Sequence, residues 1–251
     1  PMRTSVLFLT VSFVLFLSAS QARPDDTATA AAIVDQAIKA HGGQEQLEKT
    51  QLMTRSAKGT TSFIDKDVPF TDEWIRQLPD RWRQTVQVGP PGQQTQILVV
   101  INGDKGWQSA SGQVAELEKP RLVALREEGY LHWLATLIPL KKDNAFTLAS
   151  LPDARVGDED TAVVKVSRQG HADARLYFDK RTHLLVKAEH RARDAGLVVT
   201  KEYVYSDFKD FDGVKLPTKS VELTDGKKMI EVSEFTYKFL PRVDDNQFTR
   251  P

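Results

Sequence analysis

Between Ala172 and Lys238 apolar and polar residues alternate, most clearly in the first two runs and less cleanly in the last two, and a period of two points to β-strands with one buried face. Ala172, Ala174, Leu176 and Phe178 alternate with Asp173, Arg175, Tyr177 and Asp179. Beyond the turn Lys180-Arg181-Thr182, Leu184, Val186 and Ala188 alternate with His183, Lys187 and Glu189. A third run places Leu197, Val199, Tyr203 and Tyr205 on one face. Asp212-Gly213 and Asp225-Gly226 are type I′ hairpin signals, since both central residues of that turn need positive φ. The stretch therefore reads as about five antiparallel strands in a meander. Pro217 has no amide to donate, which predicts an edge position or a bulge.

The same periods organise the rest of the chain. A polar linker from Arg23 to Thr29 leads into a helix capped by Thr27 or Thr29, in which Ala30, Ile33, Val34, Ala37, Ile38 and His41 recur at helical spacing. Gly42-Gly43 stops it, and His41 reads as a cap on its C-terminal dipole. Strands follow over Thr54 to Phe63, Val68 to Arg76, Arg81 to Val88, Ile97 to Ile101 and Val114 to Leu117, and again over Phe146 to Leu151 and Thr161 to Ser167. Between these groups one helix is expected from Pro120 to Ile138, with Gly129 as a place to bend. Leu122, Leu125, Tyr130, Trp133, Leu134, Leu137 and Ile138 give it an apolar stripe wider than one packing contact requires. A mainly β, α+β fold follows, a strongly curved antiparallel sheet of about 10–11 strands, because open sheets of this size curl. The N-terminal helix and the inserted helix are expected on its concave face, where sheet and lid enclose a cavity.

Composition removes several classes of function. With 251 residues, 40% of them apolar and 27% charged, the chain can bury a substantial core. Lys+Arg and Asp+Glu both number 34, so no net field favours nucleic acid. The absence of cysteine excludes disulfides, thiolate metal sites, cysteine nucleophiles and a lipid-anchoring cysteine. Residues 1–22 read as an export signal: Arg3, an apolar run from Val6 to Leu17, and a small-residue site ending at Ala22. That run is shorter than the roughly 20 residues of a spanning helix, so cleavage near Ala22 is expected. The mature protein is then periplasmic or secreted and not integral to a membrane.

No catalytic constellation is found. His41, His132, His171, His183 and His190 include no pair three or four apart, and His183 and His190 are placed on opposite faces of one strand. Asp158, Glu159, Asp160, Asp244 and Asp245 lack the alternation of a calcium loop. There is no Gly-x-Ser-x-Gly elbow, Walker loop or dinucleotide fingerprint. The expectation is a protein without metal, cofactor or enzymatic activity.

Several short motifs, in a fixed order, carry a resemblance. They are Ala40-His41-Gly42-Gly43 with Leu47, Asn102-Gly103-Asp104-Lys105-Gly106-Trp107, Tyr177-Phe178-Asp179 with Leu184-Leu185-Val186, Tyr205-Ser206-Asp207-Phe208, Phe211-Asp212-Gly213-Val214-Lys215-Leu216-Pro217, and Val243-Asp244-Asp245-Asn246-Gln247-Phe248. In these the chain resembles the outer-membrane lipoprotein-sorting proteins, the LolA/LolB-like superfamily of periplasmic lipid-handling domains. The resemblance spans almost all of residues 23–251 and implies a single domain, a half-open β-barrel whose apolar, helix-lidded cavity takes acyl chains. None of the matching residues is a ligand contact in that family; they specify turns and strand ends.

The residues expected to touch lipid are Trp74, Trp82, Tyr130, Trp133, Leu134, Leu137 and Ile138, with Trp133 foremost because it lies on the lid's wide stripe. The function expected is an exported carrier or sensor of lipid or lipoprotein acyl chains, with envelope proteins as further partners. Burying a C14 to C18 chain at ~0.8 kcal/mol per CH₂ supplies on the order of 10 kcal/mol before ordering costs. The alternative is a protein-interaction scaffold or envelope-stress sensing module with a filled core. A hydrolase ranks third, since no nucleophile and base can be named together.

Overall fold

In the computed structural model, residues 24–63, 66–194 and 196–251 are described, so the export signal expected over 1–22 lies outside the described residues. The helices are α1 (Pro24–Ala40), α2 (Gln44–Glu48), α3 (Lys119–Leu134) and α4 (Pro139–Lys142). The strands are β1 (Leu52–Phe63), β2 (Lys66–Gln77), β3 (Arg81–Val88), β4 (Thr95–Asn102), β5 (Lys105–Ala110), β6 (Gln113–Glu116), β7 (Thr147–Val156), β8 (Glu159–Ser167), β9 (Ala174–Asp179), β10 (Leu185–Asp194), β11 (Leu197–Phe211), β12 (Val214–Thr224) and β13 (Lys227–Phe239).

All 13 strands form one antiparallel sheet in the order β6-β5-β4-β3-β2-β1-β13-β12-β11-β10-β9-β8-β7. Every neighbour in the sheet is a neighbour in sequence except β1 and β13, which pair from Met53↔Phe239 to Thr61↔Ile230. The two edges are therefore β6 and β7, consecutive in the chain, and the segment joining them is α3–α4. The sheet is a half-open barrel with a helix across its gap. The strand count exceeds the expected 10–11. The run read from Val114 to Leu117 is β6; the strand that no run marked is β5, whose six residues after the Asn102–Lys105 turn offer too few alternating positions.

The meander has the five strands expected of it, β9 to β13. Its two Asp-Gly turns have the required geometry, with φ of 50° and 86° at Asp212 and Gly213 and 48° and 77° at Asp225 and Gly226. Pro217 lies in β12, opposite Phe208 of β11, at a point where pairing with β13 has already stopped. Its carbonyl instead accepts a hydrogen bond from the Tyr237 hydroxyl at 2.8 Å.

The recurring motifs meet one another in space. His41 at the end of α1 donates from Nδ1 to the Lys215 carbonyl at 2.7 Å, and its Nε2 accepts the Leu185 amide at 3.1 Å. Gly42 passes so close to the Asp212-Gly213 turn that a Cβ there would lie 2.0 Å from the Gly213 carbonyl oxygen. At the other end of the chain Asn102 donates to the Phe248 carbonyl at 3.2 Å, and Phe248 is fully buried against Leu98 and Val100. These residues are folding hardware, which is why they form turns and ends. His41 is thus a neutral bridge between α1, β12 and β10 rather than a charged cap on a helix dipole.

Three further expectations change. Helix α1 begins at Pro24, so Thr27 and Thr29 lie inside it and the segment read as a linker is helical; Pro suits a first turn, and Ala28, Ala30, Ala31 and Ala32 favour helix. The inserted helix ends at Leu134, and a positive φ of 65° at Leu137 separates it from α4. It runs unbroken through Gly129, whose missing side chain makes room for Trp82: a Cβ would sit 3.2 Å from the indole Nε1. His183 lies in the turn before β10, with φ of 60°, and so does not share a strand with His190.

The main core packs α1, through Ala30, Val34, Ala37 and Ile38, and the end of α3, through Leu131 and Leu134, onto Leu148, Val164, Val166, Leu176 and Phe178 of the concave face. A second cluster joins Leu125 of α3 to Trp74, Trp82, Val99 and Ile101.

Candidate functional site

Strand parity decides what lies beneath α3. On β2 the inward residues are Phe70, Asp72, Trp74 and Arg76, all buried, and on β1 they include Met53, Arg55 and Ala57. Charges thus occupy positions whose neighbours two residues away are core. Arg55 pairs with Asp72 at 2.9 Å, and its guanidinium stacks over Trp74 at 4.2 Å and Phe235 at 4.9 Å. Among the described residues the Arg76 guanidinium has only the Met53 sulfur, at 3.7 Å, as a hydrogen-bond partner.

Helix α3 adds two polar residues to this interior, Glu128 and His132, one turn apart. The His132 ring stands edge-on between Trp74 and Tyr203, with centroids 5.0 and 5.4 Å away. Burial, then the charges of Arg55 and Arg76, holds its imidazole well below the usual range, so the ring is neutral. Burial raises Glu128, and burial together with Glu128 pushes Glu222 of β12 up to about 7. Burial and the adjacent Arg55 draw Arg76 down to about 10, where it remains a cation. Glu222, Tyr205 and His132 are partly exposed and line the first chamber.

Two small chambers flank the Arg55–Asp72 pair. The first, about 80 Å³, is lined by Arg76, Tyr205, Tyr237, Phe208 and Leu216 among others. The second, about 150 Å³, is walled mainly by Ala57, Phe70, Val86, Val88, Ile230 and Val232. Arg55, His132, Glu222 and Phe235 border both. Ligand pockets usually measure roughly 300–1,000 Å³, so neither chamber accepts a long chain while α3 sits as it does. The interior is amphipathic, not the apolar cavity the sequence suggested.

No protein-family model matches this chain, and no curated protein sequence matches it. Solved structures do. A LolA superfamily protein from Nitrosomonas europaea aligns over 88% of this chain and 97% of its own, with a TM-score of 0.55 at 16% identity. A putative outer-membrane lipoprotein-sorting protein domain from Vibrio parahaemolyticus covers the same 88% and 97%, with a TM-score of 0.52 at 12% identity. The fold is LolA-like. A DUF1329 family protein from Desulfovibrio piger shares it, with a TM-score of 0.56 and 13% identity over 88% of this chain and 97% of that one.

Within this LolA-like frame the seven expected lipid contacts fall into three places. Trp74 and Trp82 face the interior beneath α3, 5.5 Å apart between ring centroids. Leu134, Leu137 and Ile138 are at most 2% exposed and belong to the main core. Tyr130 and Trp133 lie at the edge of that core, on the flank of α3, where Tyr130 stacks on His171 at 3.8 Å and Trp133 packs against Phe146 and Arg168. That seam anchors the helix to the β7 side of the gap. Sequence reasoning missed Arg55, Arg76, His132, Tyr205 and Glu222; the readable signal was a charge or hydroxyl at the same strand parity as a tryptophan or methionine. Among the described residues no three His, Asp or Glu side chains come together as metal ligands. No described helix is long and apolar enough to cross a membrane.

Proposed function

We propose that this protein is an exported, non-enzymatic carrier that takes an acyl chain between α3 and the concave sheet. The observation that carries the reading is topological: the one gap in the sheet lies between β6 and β7, and α3 bridges it over an incompletely filled interior. A helix that joins the two edges can be displaced without breaking a strand pair. The likeness to a putative outer-membrane lipoprotein-sorting domain supports a role in the envelope, with lipid or lipoprotein acyl chains as cargo. A filled-core scaffold for an envelope protein is the second reading, favoured by the full burial of Leu134, Leu137 and Ile138.

Native mass spectrometry of the protein purified from the envelope separates the two. The carrier reading expects co-purified amphiphile and saturable binding of a fluorescent fatty acid. Bare protein that binds no acyl probe would sink it and leave the scaffold.

A further inference from the structure

We infer that the interior contains a carboxylate site built on Arg76, so that the preferred cargo is an acyl chain with a free carboxylate head. This rests on the carrier reading and narrows it. Arg76 is 8% exposed, and among the described residues its Nε has no acceptor and its guanidinium has one hydrogen-bond partner, a thioether sulfur. Arginine cannot shed its proton to escape this position, and an isolated buried ion is among the most unfavourable groups a fold can hold. Its charged neighbour is a second cation, Arg55, whose carboxylate partner is Asp72. Glu222 lines the same chamber, but the charges that act on it are those of Glu128, Arg55, Lys201 and Asp72 rather than Arg76. Among the described residues no carboxylate pairs with Arg76.

The missing anion must then come from a ligand. Beside Arg76 the free space is about 80 Å³, enough for a compact head, and Phe208, Leu185 and Leu216 line the same chamber as apolar wall for the first methylenes. One guanidinium fork matches one carboxylate through two parallel hydrogen bonds and balances its single charge, whereas a phosphate monoester, though it fits the same fork, brings a further oxygen and close to a second negative charge that one arginine leaves unmatched. An acyl chain attached to a protein or glycerol ends in a neutral amide or ester and leaves Arg76 unmatched.

The test is displacement of a fluorescent acyl probe from the whole protein at pH 7 by myristate, tetradecanol and tetradecyl phosphate. A charge-assisted pair predicts that myristate binds about tenfold or more tighter than tetradecanol. Arg76→Met should abolish that preference while leaving tetradecanol affinity and Tm undiminished, and Arg76→Lys should keep part of it. Equal affinity of acid and alcohol for the wild type overturns the carboxylate site but leaves a carrier; no binding by any amphiphile overturns both. Preference persisting in Arg76→Met, or tetradecyl phosphate binding tighter than myristate, also overturns it.

Discussion

Replacing His41 by Asn should weaken the fold at neutral pH and, at the same time, flatten its response to acid. The ring works only when neutral: Nδ1–H donates to the Lys215 carbonyl, and Nε2 must stay bare to accept the Leu185 amide. Burial, with a smaller push from the Lys215 charge, lowers its pKa from 6.5 to about 4, while the bond to the Lys215 carbonyl acts the other way. Between those two values the unfolded chain binds a proton that the folded chain refuses. The contribution is therefore fully present above pH 6.5 and is lost as pH falls toward 4. At about 1.4 kcal/mol per tenfold in proton affinity, the change amounts to about 3 kcal/mol. Asn cannot span both partners, so about 1–3 kcal/mol should be lost at pH 7.5 through an unsatisfied buried carbonyl or amide. Buried His132 and His190 respond to acid in the same direction, and comparing wild type with variant cancels them. Urea melts at pH 7.5, 5.5 and 4 should show the gap between the two proteins closing as pH falls. Parallel curves would refute the neutral-bridge assignment.

Leu134→Asp places a charge at a fully buried position of the main core, so it should unfold the protein outright in circular dichroism melts, whichever functional reading holds. A cooperative melt near the wild-type temperature would show that α3 is less firmly packed than its burial implies. Glu222→Gln should stabilise at high pH: a folded pKa near 7, above the ordinary 4.5, means that stability is full below 4.5 and falls as pH rises through 7. The variant should exceed wild type by up to about 3 kcal/mol at pH 8.5 and match it at pH 4, as read by urea midpoints. A variant no more stable at pH 8.5 would place Glu222 in contact with bulk water.

The meander was legible because alternation and Asp-Gly turns are local signals, each read within a few residues. The polar interior was harder. Asp72 and Arg76 share a strand face with Trp74, which can be counted from the sequence, but counting does not reveal that Arg55 takes Asp72 and leaves Arg76 alone. Pairing is a fact of register between β1 and β2, and a shift of one residue would turn the whole inward set outward. The wide stripe of α3 misled for a related reason. It merges two surfaces, the core contact of Leu131 and Leu134 and the flank seam of Tyr130 and Trp133, while the face over the cavity carries Glu128 and His132.

The gap between β6 and β7 also bears on solubility. It leaves two strand edges, each a row of backbone donors and acceptors on which another chain can add a strand. Both edges are poor templates. β6 is four residues long, and β7 loses its register between Leu151 and Ala154, where Pro152 has no amide to offer and Asp153 adds a charge. A sheet left unclosed on this side still offers a neighbour of its own kind little to pair with.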